Sequence, residues 1–309
     1  MNNGTVISSI RENIATISFY HPASNSFPST LLNQLIAIID RLGADENVRI
    51  IILKSEGEKA FCAGAFFDEL LEITNLEEGE QFFLGFANLI NAMRKCPKLI
   101  IGRVQGKAVG GGVGIIAATD YCFASEAADI KLSELTIGLG PFVIEPAIKR
   151  KIGVAAVSKL TLDATDWHTA YWAKEKGLFS RVFETINDMD DYVASLAQKL
   201  ASYNPEALKE IKKAFWQGTD HWDELLDEKA KISGKLVLSD FTKKANIAYK
   251  LSMFLYVVQV SLIYISTTWL VPTHQQPAFV VGVVFSIPLL ILLPWLIKRN
   301  IRAFVWLCF

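Results

Sequence analysis

Gly110, Gly111 and Gly112 stand where an apolar, partly β-branched segment, "KLIIGRVQG", is followed by a run of helix formers, "IIAATD". This pattern predicts a strand that ends at the glycines and a helix that begins with them. Glycine lowers helix stability by up to about 1 kcal/mol per residue, so three of them need a reason. Because the first N–H groups of a helix have no internal partner, such a turn can bind an oxygen that gains negative charge.

Three other interpretations of the glycines are open. They could serve close helix packing alone, or "GVGIIA" (112–117) could be a dinucleotide fingerprint with Glu134 as its acidic partner. A phosphate loop fits less well, because no Lys-Ser/Thr pair follows. The oxyanion interpretation is favoured by a second segment, "EKAFCAGAFFDEL" (58–70), which predicts a small-residue loop and a helix beginning near Phe66. Each amide fixed around such an oxygen accelerates a reaction by about 10² to 10³.

Alternating strands and helices over the first 245 residues must position these two loops. The segment "VISSIRENIATISFY" predicts a hairpin, and "STLLNQLIAIIDRLGADENV" predicts a helix capped by Ser29 or Thr30. The pattern becomes mainly helical from about Val154 onward. This order indicates a layered α/β core with a helical extension.

One of the later helices is predicted in "TDWHTAYWAKEKG", with Thr165 or Asp166 as its cap. The four tryptophans of the helical region, Trp167, Trp172, Trp216 and Trp222, are interpreted as core or interface residues.

Charge and cysteine content exclude several classes of function. The formal net charge of −1 provides no basic field for nucleic acid. The four cysteines show no metal-ligand spacing, so the sequence predicts no zinc site, no disulfide framework and a reducing, cytosolic setting. The first residues do not resemble an export signal. The histidines are isolated and no GxSxG segment occurs, which argues against a serine hydrolase.

Two apolar stretches follow residue 250, namely 251–270 and 278–297, and each has twenty residues without a charge. About twenty apolar residues span a bilayer as a helix, so they predict a membrane hairpin. Basic residues on both flanks predict that both ends face the cytosol. A helical hairpin buried inside an oligomer is the alternative. A third apolar stretch, 303–309, is too short to span, and the membrane module is therefore expected to be cut off.

Several segments together resemble one known family, the crotonase or enoyl-CoA hydratase/isomerase superfamily, over residues 4–245. They are "KAFCAGA", "VQGKAVGGGVGIIAATD", "ADIKLSELTIGLGP", "WAKEKGLFSRVF" and "NPEALKEIKKA". The resemblance implies an α/β fold with a ββα spiral core at 1–190. It also implies a helical trimerisation region at 191–246, with assembly into trimers or hexamers.

The remaining residues, 247–309, resemble the beginning of a small uncharacterised family of bacterial inner-membrane proteins. This resemblance implies a cytoplasmic catalytic part and attachment of the full chain to the inner membrane through 251–297. An accidental fusion is favoured over a functional tether.

The superfamily resemblance also implies an acyl-CoA substrate and no cofactor or metal. The thioester oxygen would lie between the amides of Ala65 and Gly111, where an enolate forms. The implied substrate-binding residues are Ala60, Ala63, Gly64, Gly110 and Phe142.

The sequence departs from the family at one of the two glutamates that hydratases use. That position is Gly114, whereas the other glutamate is retained as Glu134. Burial beside a thioester should raise the pKa of Glu134 and suit it to proton transfer near neutral pH. A single acid/base group can shift a double bond, so isomerisation is favoured over hydration.

Glu145 could replace the missing glutamate, but an ion pair with Lys149 at i, i+4 is the favoured interpretation. Asp120 is interpreted as structural and Cys62 as a packing residue. Decarboxylation, thioester hydrolysis and a weakly active acyl-CoA-binding protein held at the membrane remain alternatives.

Overall fold

The computed structural model describes residues 4–244. Its strands are β1 (Thr5–Arg11), β2 (Ile14–Tyr20), β3 (Ile50–Ser55), β4 (Ala60–Cys62), β5 (Leu99–Val104), β6 (Lys107–Val109), β7 (Tyr121–Ser125), β8 (Ile130–Lys131) and β9 (Arg181–Phe183). Its helices are α1 (Ser29–Ala44), α2 (Phe67–Glu72), α3 (Leu76–Lys95), α4 (Gly111–Ala118), α5 (Glu145–Leu162), α6 (Ala170–Glu175), α7 (Ile186–Ala201), α8 (Pro205–Phe215) and α9 (Trp222–Val237). A 3₁₀ helix occupies Glu134–Ile137.

The strands form two sheets, and successive turns of the chain add one strand to each. The larger sheet has the order β1-β2-β3-β5-β7-β9, and the smaller has the order β4-β6-β8. Strands β1 and β2 form the predicted antiparallel hairpin, whereas the other pairings between these named strands are parallel. Each of β3-β4, β5-β6 and β7-β8 is followed by helical structure, so the ββα spiral that the resemblance implied is confirmed.

Alternating side chains of the larger sheet enter two different cores. Ile51 and Leu53 of β3 belong to the main core, which also contains buried residues of α1, α3, α4 and α5. Ile50 faces the other way, into a second core with Val193 of α7. Because side chains alternate along a strand, a strand that is apolar at consecutive positions must be covered on both faces. The apolar strand segments thus account for helices on both sides of the sheet.

The predicted helix caps are wrong in two places, and both differences arise from contacts distant in sequence. Ser29 is the first residue of α1 and not its cap; its N–H and hydroxyl group donate to the carboxylate of Glu69, at 2.9 and 2.7 Å. Helix α6 is capped by Thr169 and not by Thr165 or Asp166. The segment before it stays extended because the N–H and C=O of His168 pair with Ile130.

The described residues fall into two compact units. The first contains 4–135 and 139–238, and the second contains Thr136–Gly138 with 239–244. Helix α7 runs across the predicted boundary between 190 and 191. Within residues 4–244, no helix has the length and apolarity needed to cross a membrane. The predicted membrane hairpin at 247–309 lies outside the described residues.

Candidate active site

The three glycines form the turn between β6 and α4, so a strand and a helix meet there as predicted. The predicted strand in "KLIIGRVQG" is β5 of the larger sheet, and the separate short strand β6 of the smaller sheet is the one that reaches the glycines. Gly110 precedes the helix with φ +53°, a left-handed value that favours glycine. Its N–H donates to the carbonyl of Lys131 at 2.9 Å, and its carbonyl accepts from Val113 and Gly114. Gly111 is the first residue of α4, so its N–H has no acceptor within the helix. The ring of Phe86 packs against Gly111 where a side chain would otherwise lie.

The second loop follows β4 and leads to Ala65. The N–H of Phe27 donates to the carbonyl of Gly64 at 2.8 Å, and the N–H of Phe66 donates to the carbonyl of Phe27 at 3.0 Å. These two bonds form a parallel bridge between Phe27 and Ala65. In such a bridge both bonds are made by the neighbours of Ala65, so the N–H of Ala65 itself points away from Phe27.

The two loops meet at Gly64. A methyl group on Gly64 would lie 3.0 Å from the carbonyl oxygen of Val109 and 3.2 Å from the nitrogen of Gly111. Gly64 also has φ +86°, so the position favours glycine for its conformation as well as for its close approach. The structure therefore brings the predicted loops together, with the residue before Ala65 against the amide of Gly111.

Glu134 lies beside the glycine turn. A methyl group on Gly110 would be 3.0 Å from its Oε1 atom. Its Oε2 atom is buried and has no hydrogen-bond partner among the described residues. Burial raises the pKa of Glu134 to about 7, although a hydrogen bond from its own backbone opposes the shift. The carboxyl group is thus suited to accept and return a proton near neutral pH.

Known proteins share this arrangement of sheets and loops. The family model described as enoyl-CoA hydratase/isomerase matches residues 9–256, which is most of the chain. This chain belongs to the enoyl-CoA hydratase/isomerase family. The match includes both glycine-containing loops and Glu134, and it extends into the first of the two apolar stretches.

Individual relatives agree with this family assignment. The short-chain-enoyl-CoA hydratase of Clostridium acetobutylicum is 28% identical over 207 residues, which cover 66% of this chain and 78% of that protein. The crystal structure of an enoyl-CoA hydratase from Bacillus halodurans shares the fold with a TM-score of 0.73 at 19% identity, covering 79% of this chain and 99% of that one. An enoyl-CoA hydratase structure from Bacillus anthracis has a TM-score of 0.65 at 26% identity, covering 81% and 96%.

The space that a glutamate side chain at position 114 would need is filled by an isoleucine from another segment. A methyl group on Gly114 would lie 2.7 Å from Cβ of Ile144 and closer still to its Cγ2 atom. Ile144 is 4% exposed and precedes α5 directly. Sequence reasoning noted Gly114 but missed Ile144, because their contact joins segments that are far apart in the chain.

Two other predicted site residues lie on the segment that leads into α5. Glu145 forms an ion pair with Lys149 at 3.7 Å, which is the interpretation that the sequence favoured. Phe142 is half-buried, packs against Gly140 and has the Nζ atom of Lys229 5.8 Å from its ring centre.

The side chain of Asn25 forms hydrogen bonds that hold the segment leading to Ala65. The sequence did not single out Asn25 as a site residue. Its side-chain amide donates to the carbonyls of Glu56 and Ala60 at 2.8 and 2.9 Å, and its oxygen accepts from the N–H of His21 at 2.9 Å. Asn25 itself has φ +57°, a conformation that asparagine tolerates better than most residues. The N–H of Ala63 donates to Ser24, which adds a further bond between the two segments.

Asp120 and Cys62 have the structural roles that the sequence indicated. The buried carboxylate of Asp120 accepts from the ammonium group of Lys212 at 2.9 Å, from the indole of Trp216 at 2.8 Å and from the N–H of Ile100 at 2.7 Å. Burial raises the pKa of the Cys62 thiol to about 12, so it stays protonated and unreactive near neutral pH.

An open groove of about 520 Å³ lies elsewhere, between α1, α2 and α3. Ser29, Glu69 and Phe82 are among its lining residues, and none of the predicted site residues lines it. The described part of the chain also contains no group of three or more side chains that could hold a metal ion.

Proposed function

We propose that the chain is an acyl-CoA-processing enzyme in which Glu134 transfers a proton at the carbon next to a thioester. The amides of Ala65 and Gly111 bind the thioester oxygen in this proposal. The observation that carries it is the buried, unpartnered carboxyl oxygen of Glu134 beside the glycine turn. A buried oxygen without a hydrogen-bond partner lowers the stability of a protein. Removal of a proton from the substrate would explain why such an oxygen is present.

The favoured reaction is the isomerisation of a 3-enoyl-CoA to a 2-enoyl-CoA. The carboxylate of Glu134 removes a proton from C2, and the C–H electron pair moves toward the thioester to form a dienolate. The two amides stabilise the negative charge on its oxygen. The protonated Glu134 then returns the proton to C4, which leaves the double bond between C2 and C3. No cofactor is required.

Position 114, where the resemblance implies the second glutamate of a hydratase, is a glycine, and this supports isomerisation over hydration. Addition of water to a double bond needs a group that activates the water as well as one that protonates carbon, and Gly114 provides neither. The relatives described above are named hydratases, so hydration of a 2-enoyl-CoA is the second candidate. Decarboxylation, thioester hydrolysis and acyl-CoA binding without turnover use the same amides and are further outcomes of the test.

The test is to incubate the full-length protein with a panel of 3-enoyl- and 2-enoyl-CoA thioesters and to identify the products. We expect 3-enoyl-CoA to be converted to 2-enoyl-CoA, and Glu134→Gln to lose at least about 10²-fold in kcat while acyl-CoA binding persists. Formation of the 3-hydroxyacyl-CoA at a higher rate than the isomerisation of 3-enoyl-CoA would contradict the isomerase assignment. Binding without any turnover by the wild type would instead support an acyl-CoA-binding protein.

A further inference from the structure

We infer that Ile144 is a specificity-determining residue: its side chain keeps water away from Glu134 and so favours proton transfer within the substrate over the addition of water. The inference rests on the proposed function and adds a residue to it. Ile144 does not need to touch the reacting carbon for this role. Its effect on the reaction comes from the apolar surroundings that it provides near Glu134.

The first step of the argument is the position of Ile144 relative to Glu134. Glu134 lies beside Gly110, the residue that precedes α4, and Ile144 lies beside Gly114 within α4. The N–H of Gly114 donates to the carbonyl of Gly110 at 3.2 Å, so the two contacts are one helical turn apart. Ile144 and the carboxyl group of Glu134 therefore pack against the same turn, at the start of α4.

The second step is what the isoleucine excludes. A water molecule in a protein interior needs two to four polar partners, and an isoleucine side chain offers none. A glutamate at position 114 would need the space that Ile144 fills, because even a methyl group there comes too close to it. Both the water and the second carboxylate of a hydratase are thus kept out by the same side chain.

The third step concerns the charges around Glu134. Burial raises the pKa of Glu134, and a hydrogen bond from its own backbone opposes the shift. The charged residues that follow Ile144, Glu145 and Lys149, are paired with each other. Because burial is the main cause of the shift, we expect the protonation of Glu134 to respond to hydration at Ile144.

The test compares Ile144→Thr with Ile144→Val in the full-length protein. The two replacements have the same shape, and only threonine adds a hydroxyl group that can hold a water molecule. The pKa of Glu134 is followed by infrared difference spectra of its carboxyl group, with Glu134→Gln as the reference. The ratio of hydrated to isomerised product from the same enoyl-CoA is the second measurement.

We expect the threonine variant to lower the pKa of Glu134 by about one pH unit, a tenfold change in proton affinity. It should also raise the product ratio about tenfold, whereas the valine variant stays near the wild type in both. If the wild type isomerises and the threonine variant matches valine in both measurements, the inference is overturned and the proposed function stands. If no enoyl-CoA is turned over, the proposed function fails, and the pKa comparison still tests whether Ile144 excludes water. If the threonine variant does not fold, Ile144→Ser replaces it with the same expectation, and Ile144→Ala replaces the valine variant as its control.

Discussion

Replacing Glu134 with glutamine should change the stability of the protein in a way that depends on pH. The replacement keeps the size of the side chain and removes its ability to ionise. In the wild type, burial raises the pKa of Glu134 from 4.5 to about 7. Below about pH 4.5 the group is protonated in both the folded and the unfolded chain, so ionisation contributes nothing to the comparison.

The magnitude follows from the difference between these two pKa values. As pH rises from 4.5 to 7, the unfolded chain releases its proton more readily than the folded chain, so the wild type loses stability over this interval. The difference of 2.5 pH units, multiplied by 1.36 kcal/mol, corresponds to about 3 kcal/mol at full ionisation. Glutamine does not titrate, and the stability of Glu134→Gln relative to the wild type should therefore rise by up to about that amount between pH 4.5 and a pH well above 7.

The assay is denaturant unfolding of both proteins at a series of pH values between 4 and 8. Glu228→Gln, which changes an exposed carboxylate on α9, is the matched control for the change from glutamate to glutamine. The free-energy difference between Glu134→Gln and the wild type should grow with pH. A difference that is constant with pH, or that shrinks above pH 5, would refute the reasoning that this carboxyl group is buried without a partner.

Other features of the chain lead to further expectations. Asn25→Ala should lower the free energy of unfolding by about 2–4 kcal/mol, measured with denaturant, because three hydrogen bonds are lost and alanine tolerates the left-handed conformation less well than asparagine. The same variant should have a lower kcat, because the loop of Ala65 is no longer held by these bonds. Lys212→Met should cost about 3 kcal/mol or more in the same assay because Asp120 is left buried without its cation, whereas the exposed Lys213→Met should change stability by about 0.5 kcal/mol or less. Fractionation of the full-length chain should place it with membranes if residues 251–297 insert, and recovery in the supernatant would contradict that prediction.

Local signals in the sequence predicted much of the framework. The alternation in β1 and β2 and the glycines at the start of α4 are properties of neighbouring residues, and both predictions are confirmed. The resemblance identified Glu134, and the structure places it beside Gly110. The first two features depend on residues that are close together in the sequence, and Glu134 lies in a segment that resembles a family motif.

The features that were missed depend on contacts between distant segments. Ser29 is the first residue of α1, and its N–H donates to the carboxylate of Glu69 in α2, so its neighbours in the sequence did not show that it is not the cap. Asn25 looks like any loop asparagine until the loop of Ala60 lies next to it. Ile144 is one apolar residue among many in the sequence, and only the fold brings it against Gly114. The structural roles of these residues depend on tertiary packing.

The central claim is that two backbone amides converge on one thioester oxygen next to Glu134. The most direct measurement is a crystal structure of the protein with a saturated acyl-CoA, which has no double bond to shift. We predict the thioester oxygen within about 3.1 Å of the nitrogens of both Ala65 and Gly111, with the carboxylate of Glu134 facing C2. An oxygen that contacts neither amide or only one, or a Glu134 carboxylate turned away from C2, would contradict the account.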